Sequence, residues 1–396
     1  MAKIKTTFDE TKMINAIWGG TLMGGGGGGS ISSGIDLLNA FKRDHPTADV
    51  TVDLIDYDQM GSNEYAAATA GMGAPAAIVG VDFSKWAQNA YNLLKDIAKS
   101  SGKELKYNIP VELGGFSIFF PFLLSLVAKA DGVKDAYTVD ADGAGRAVPA
   151  LDTLLLHVNG CPTAPIALAN GDNDRITVDL VDPHNASLAE QIGRNISGQF
   201  GNMVGISGWL VNGEDIEKRI ITNSITLCEQ IGEVMRSSKY ADDSLFEALN
   251  DLGLITCKAV CKGKITSIKV ETHGGFDYGT LDVVDEATGV EYRINFQNEN
   301  LLLQKKNADG TYADMMTVPD LTCMYCIDPN GAEGVLPRMP LSNADAKEGM
   351  KVAVGIAKVD PKWFITEGTW WNVWATCMKN IGYEGGHLSY DNVVIG

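Results

Sequence analysis

The chain has 396 residues, with 50 acidic against 32 basic and a formal net charge of -18, a length that accommodates two or three domains of ~100–200 residues each. That acidity argues against nucleic-acid phosphates or an anionic membrane face as the main partner, and 45% hydrophobic with 21% charged residues excludes a disordered chain. Glycine is the outlier: it occurs 44 times, and residues 24–29 are glycine without interruption.

The first ten residues end in Asp9 and Glu10, where a secretory leader needs its apolar stretch. The longest apolar run, residues 116–128, is broken by Pro121 and Ser125 and falls short of the ~20 residues of a spanning helix. Seven cysteines, an odd number in a large chain, do not read as a disulfide framework. A soluble cytoplasmic protein is expected, with a small-molecule ligand, no nucleic acid, no membrane, and further copies of the chain as a homo-oligomer.

In chain order, residues 13–22 are apolar and helix-compatible, the glycine run follows, and residues 35–41 resume a helical pattern. Residues 50–55 alternate as a strand, and the continuous apolar run 76–81 reads as a buried strand. A helix at 86–100, a strand at 108–113, a helix at 119–128 and a strand at 136–141 continue the alternation. The pattern predicts a layered α/β domain with a largely parallel sheet over residues 1–182. Residues 187–240 read as helical, within a connecting segment 183–250. Beyond it, short strand-like runs at 263–271, 279–284, 291–296, 312–318, 323–327 and 350–357 are separated by turns such as residues 285–289 and 307–310. Residues 251–396 are therefore expected to be a β-barrel-like or sandwich domain. The predicted fold class is α/β plus all-β.

Glycines Gly25, Gly26, Gly27 and Gly28, with Ser30 just beyond the run, let backbone N–H groups converge without side-chain obstruction, which suits a phosphate, a carboxylate or a substrate's anionic edge. No Gly-Lys-Ser/Thr follows and no clear strand precedes, so neither nucleotide fingerprint is matched. A flexible linker is the alternative, opposed by the apolar segments on both flanks.

Asp140, Asp142 and Arg146 follow a predicted strand. Residues two apart on a strand share a face, so both carboxylates are placed to enter one crevice at a strand's C-terminal end. There they can hold a metal, separate each other's pKa values or be neutralised by Arg146; a structural Asp–Arg cluster is the alternative. Glu112 stands at another strand end, placed to converge on the same crevice. Residues 170–175 lack the spacing of a calcium loop and read as a polar turn. The pairs Cys257/Cys261 and Cys323/Cys326 lie too far apart for a zinc ribbon and read as buried thiols. None of the five histidines has ligand spacing, and only His273 sits in a glycine-rich loop. Gln297, Asn298, Glu299 and Asn300 form a polar row that either recognises a heterocycle's edge or is a solvated turn. Four tryptophans, Trp363, Trp370, Trp371 and Trp374, read as core or interface packing.

Taken in order, the glycine run with Ser30, Gly71-Met-Gly-Ala-Pro75, Pro110-Val-Glu-Leu-Gly-Gly115, Asp140-Ala-Asp-Gly-Ala-Gly-Arg-Ala-Val-Pro149, Gly274-Gly-Phe276, Phe296-Gln-Asn-Glu-Asn300 and Val318-Pro-Asp-Leu321 resemble the S-methyl thiohydantoin desulfurase family, which is associated with hydantoinases and oxoprolinases. The resemblance spans residues 14–383 and implies an N-terminal α/β domain joined to a C-terminal β-barrel domain. It departs near the end, where Met378-Lys-Asn-Ile-Gly-Tyr383 replaces the family's Gly-Pro-Arg-x-Phe-Gly-Tyr and lacks its arginine. The implied activity is hydrolytic removal of a methylthio group from a five-membered thiohydantoin ring, giving a hydantoin and methanethiol. On that chemistry Asp140, Asp142 or Glu112 is expected as general base, with Asp140 and Asp142 as candidate ligands of a divalent metal. The glycine-run N–H groups would serve the ring carbonyl or developing anion, Arg146 would orient a carboxylate, and Gln297, Asn298 and Glu299 would read the ring's edge at the domain junction. Two other functions stay open: a nucleotide- or phosphate-binding enzyme that uses the glycine run, and a non-catalytic partner subunit of a hydantoinase- or oxoprolinase-type complex.

Overall fold

The computed structural model describes residues 2–73, 83–366 and 368–395; the strand expected at 76–81 and the end of the Gly71–Pro75 motif lie outside them. In chain order the first lobe contains β1 (Thr6–Phe8), α1 (Glu10–Met23), α2 (Ile31–Asp44), β2 (Val52–Ile55), β3 (Glu64–Gly73), α3 (Ser84–Ser100), β4 (Glu104–Pro110), α4 (Phe119–Ala130), β5 (Tyr137–Val139), β6 (Ala141–Asp142), α5 (Leu155–Val158), β7 (Ile166–Ala169), β8 (Arg175–Val178), α6 (Ala186–Gln199), β9 (Met203–Val211), α7 (Gly213–Arg219), β10 (Ile221–Thr222), α8 (Ser224–Arg236) and α9 (Leu245–Asp251).

Eight of these strands form a sheet in the order β1-β2-β5-β4-β3-β9-β7-β8. Only β2, β5, β4 and β3 pair in parallel; β1 on one edge and β9, β7 and β8 on the other are antiparallel. The sheet is therefore mixed rather than largely parallel. The difference lies in the antiparallel strands, above all β9, which joins β7 and β8 to the parallel strands and interrupts the stretch read as helical. Its glycines give it little apolar periodicity, and Gly205 is needed because a methyl group there would overlap the Trp86 carbonyl of α3. Helix α4 is apolar on every side, with all residues from Phe119 to Val127 buried, as a helix enclosed by its lobe must be. Helices α1 and α8 approach backbone to backbone: side chains at Gly19 and Gly232 would overlap the carbonyls of Cys228 and Asn15.

The second lobe is a seven-stranded antiparallel sheet of β11 (Cys257–His273), β12 (Phe276–Asp285), β13 (Glu291–Gln297), β14 (Glu299–Lys306), β15 (Tyr312–Thr317), β16 (Leu321–Cys326) and β17 (Lys351–Ala357), in the order β15-β14-β13-β12-β11-β17-β16. Register shifts interrupt four of its ladders, and such irregularities bend and twist strands. It curls into a half-barrel. The barrel-like expectation is corrected here: β15 and β16 remain edges with no ladder between them among the described residues. Helix α10 (Trp370–Asn380) follows.

The lobes share one buried apolar core. Asn300 N–H donates to the Gly25 carbonyl at 2.8 Å, Asn343 N–H to the Gly26 carbonyl at 2.8 Å, and Trp363 Nε1 to the Ala144 carbonyl at 2.9 Å. The glycine run and the segment after β6 thus form the seam between the two sheets. Among the described residues no helix is long and apolar enough to cross a membrane.

Candidate active site

A cavity of about 620 Å³ opens at this seam, bounded by the glycine run, the end of β4, the β3/β9 face, α6 and the start of β14. Its size falls in the ~300–1,000 Å³ range of small-molecule sites. The wall on β3 is built from Ala68, Ala70 and Met72, which share one face of the strand, with Ile206 opposite Ala70 on β9.

The glycine run is a folded seam and not a loose tether. Gly25, Gly26, Gly28 and Gly29 have φ of 54°, 92°, 66° and 84°, the left-handed region where a side chain is disfavoured. Close approach explains Gly27: a methyl group there would overlap Glu299 Oε1. The Gly28 carbonyl accepts from Phe116 and Ser117 N–H, both at 3.1 Å. The N–H groups of Gly26, Gly28 and Gly29 meet no protein acceptor among the described residues. Gly26 to Gly29 and Ser30 line the cavity, whereas Gly25 lies behind it. Ser30 caps α2, accepting from Ser33 N–H at 3.2 Å and sharing hydrogen bonds with the Ser32 and Ser33 hydroxyls at 2.8 and 2.9 Å.

Glu112 reaches the cavity from the segment after β4. Its Oε1 accepts from the Ser117 hydroxyl at 3.0 Å and its Oε2 from Val148 N–H at 2.9 Å. Two fixed donors set the orientation of this carboxyl. Burial pushes its pKa up to about 7, above the usual carboxylate range, against the lowering effect of those two hydrogen bonds. Glu299 enters the same cavity from the other lobe at the start of β14. It is 3% exposed, and its Oε2 has no hydrogen-bond partner among the described residues. Burial, then the charge of Glu112, hold its pKa well above the carboxylate range. Asn298 sits beside it with φ of 57° and exchanges hydrogen bonds with the Asp277 backbone at 2.7 and 2.9 Å.

Asp140, Asp142, Gln297 and Arg146, expected in the site, lie elsewhere. Asp140 Oδ1 accepts from Ile225 and Thr226 N–H at 3.0 and 3.1 Å, and its Oδ2 from the Thr226 hydroxyl at 2.8 Å and Lys5 Nζ at 2.7 Å. It caps α8. Asp142 Oδ2 accepts from Ala144 and Gly145 N–H at 2.9 and 2.7 Å, which fixes the turn after β6. Neither lines the cavity. Three of the four oxygens are committed to the fold, with Asp142 Oδ1 buried and without a hydrogen-bond partner among the described residues, so the pair does not fit a divalent cation, and no group of three or more His, Cys, Asp or Glu side chains among the described residues does. Gln297 points away from the cavity, its Oε1 accepting from Asn380 Nδ2 at 3.2 Å.

Arg146 is fully buried, and its guanidinium is spent on the Ala147, Pro319, Asp320 and Asn300 carbonyls at 2.8, 2.6, 3.2 and 3.2 Å. It fastens the lobes together and lies behind the cavity wall. Burial draws its pKa down to about 10, while Glu299, Asp320 and Glu112 favour its charge. It therefore remains a cation at neutral pH close to the two glutamates.

Sequence reasoning missed Glu190 and Arg194, one turn apart on α6, which pair with each other and line the cavity. Arg194 Nη1 donates to the Gly275 carbonyl at 2.9 Å, and its guanidinium lies 3.9 Å from the Phe276 ring centroid. The i, i+4 Glu–Arg spacing was the available signal. His273, near that loop, stacks on Tyr278 outside the cavity. All seven cysteines are free and buried, and Trp363 and Trp374 are core residues.

Two family models match the chain, one described as S-Me-THD-like, N-terminal domain, over residues 12–180 and one as S-Me-THD-like, C-terminal domain, over residues 184–370. The chain is also similar to the crystal structure of a protein from Chromobacterium violaceum at 22% identity, covering 98% of this chain and 100% of that one with a TM-score of 0.79. That likeness is one of fold. No curated protein matches.

Proposed function

We propose, from the premise that this chain belongs to the S-Me-THD-like family of thiohydantoin-related enzymes, that it hydrolyses a methylthio-substituted thiohydantoin ring to a hydantoin and methanethiol, with Glu112 as general base. The observation that carries this reading is Glu112 itself: a carboxyl facing the cavity, held by Ser117 and Val148, with a pKa near 7. A base tuned to the working pH is what water activation needs. The unpaired N–H groups of Gly28 and Gly29, close to the N-terminus of α2, supply donors for charge that develops on the ring.

The phosphate-binding alternative fares worse on electrostatics. Carboxyl groups Glu112, Glu190, Asp277 and Glu299 face the cavity, while Arg194 is the one cation among its described lining residues and is already paired with Glu190. Purified protein supplied with a 2-methylthio-imidazolin-4-one should release methanethiol. Glu112→Gln should lower kcat by about 100-fold or more while the fold is retained. Full turnover by that variant refutes the assignment. Release by the chain alone also separates this reading from that of a non-catalytic partner subunit.

A further inference from the structure

We infer that Glu299 is a second catalytic residue, the proton donor that works with Glu112 across the lobe junction; this deepens the hydrolytic reading and rests on it. The first support is geometric. Among the described residues the buried carboxyl side chains are Asp140, Asp142, Glu190, Asp282, Glu299 and Asp320. Five of them are tied into the fold: Asp140 and Asp142 as described above, Glu190 by Leu151 N–H and Arg194, Asp282 by Arg293, and Asp320 by Val359 and Tyr390 N–H. The Glu299 carboxyl accepts no hydrogen bond from another residue among those described, and one of its oxygens is buried without a partner. A buried carboxyl with no structural partner is costly to keep, and this one lines the cavity that Glu112 also lines.

The second support is electrostatic. The charged and titratable groups that act on Glu299 are Glu112, Arg146, Arg194 and Cys377, and those that act on Glu112 are Asp142, Arg146 and Glu299. Two carboxyls on one largely enclosed cavity repel each other when both are ionised, so one retains a proton. Burial favours keeping it on Glu299, the more enclosed of the two.

A single shared proton suffices for the whole reaction. As water adds to C2 of the 2-methylthio ring, Glu112 takes a proton from the water and a C–O bond forms. The C2=N electron pair moves to the ring nitrogen, which takes the proton of Glu299. The tetrahedral centre then carries OH and SCH3. In collapse its OH returns a proton to the Glu299 carboxylate as C=O forms, and the C–S pair leaves with the proton held by Glu112. The products are the hydantoin and methanethiol, water is consumed once, and both carboxyls regain their starting states.

The position of Glu299 also explains why residue 27 is glycine. Its carboxyl occupies the space a Gly27 side chain would need.

The experiment compares wild type, Glu299→Gln, Glu112→Gln and Gly27→Ala on two substrates, the neutral 2-methylthio ring and an N,N-dialkylated analogue that is permanently cationic and needs no proton at nitrogen. Wild type should show a bell-shaped pH dependence of kcat/KM. Glu299→Gln should lose about 100-fold or more on the neutral ring, lose the alkaline limb, and recover at least tenfold of that loss on the cationic ring. Gly27→Ala should follow Glu299→Gln, and Glu112→Gln should fail on both substrates. An active Glu299→Gln enzyme with its bell intact overturns the inference and spares the hydrolytic reading. So does equal failure of Glu299→Gln on both rings with the alkaline limb preserved. Absence of methanethiol from wild type on either ring overturns the hydrolytic reading itself.

Discussion

Glu112 and Asp140 both stand at the end of a strand of the first sheet, yet only Glu112 reaches the cavity. The difference lies in their neighbours. Strand alternation tells which residues share a face and so directed Asp140 and Asp142 to one crevice; it does not tell that α8 would bring its N-terminal N–H groups onto Asp140. Glu112 was legible from its place at a predicted strand end in Pro110-Val-Glu-Leu-Gly-Gly115; that the glycines after it admit the glycine run, a side chain at Gly114 overlapping the Gly28 backbone, shows only in the fold. With a pKa of about 7 for Glu112, kcat/KM should fall about tenfold for each pH unit below 7 as the base takes up a proton. A profile flat from pH 5 to 7 contradicts that role. At Arg146 the prediction concerns stability. Arg146→Met removes the hydrogen bonds to four carbonyls and takes away the buried cation that offsets Glu299 and Asp320, so chemical denaturation should show a loss on the order of 3 kcal/mol.

Helices α1 and α8 flank the glycine run and the Asp140 cap, and their contact sets where both sit. Gly232 meets the Asn15 carbonyl so closely that a methyl group cannot enter without moving one helix. Gly232→Ala gains up to ~1 kcal/mol in helix propensity, but overpacking against backbone costs about 1–3 kcal/mol. The net expectation is destabilisation, read as a lower Tm; an unchanged or raised Tm would show that the helices can separate at little cost. Strand β9 shows where periodicity fails. Its sequence Met203-Val-Gly-Ile-Ser-Gly-Trp-Leu-Val211 is buried on both faces over most of its length, so the polar–apolar alternation of a half-exposed strand is absent. The second lobe was more legible because its hairpin turns carry glycine where left-handed backbone is required, as at Gly289 and Gly310 with φ of 70° and 88°. The curl of the sheet depends on register shifts spread over several ladders, which no local pattern announces, and its open edges at β15 and β16 show only in the strand order.

At the scale of the molecule, the two lobes meet around a site whose carboxyl groups are held out of water. Burial raises the pKa values of Glu112, Glu190 and Glu299 in the folded state, so the native protein binds more protons than the unfolded chain, and stability falls as pH rises through the folded values. His157, whose pKa burial lowers, acts in the opposite sense only as pH falls through its ordinary value near 6.5. Between about pH 6.5 and 8 the free protein should therefore lose Tm with rising pH, and Glu112→Gln should flatten that slope. The composition that first drew notice, an unbroken glycine run, is accounted for at this same scale as the seam where both lobes and both glutamates come together. The most direct test of the account is the pH dependence of methanethiol and hydantoin release from a 2-methylthio-imidazolin-4-one by the purified chain. Equimolar release that climbs about tenfold per pH unit up to about pH 7, passes through a maximum above it and falls again on the alkaline side in wild type, and that is lost in Glu112→Gln, is the predicted result. No release, or release that Glu112→Gln leaves unchanged, contradicts it.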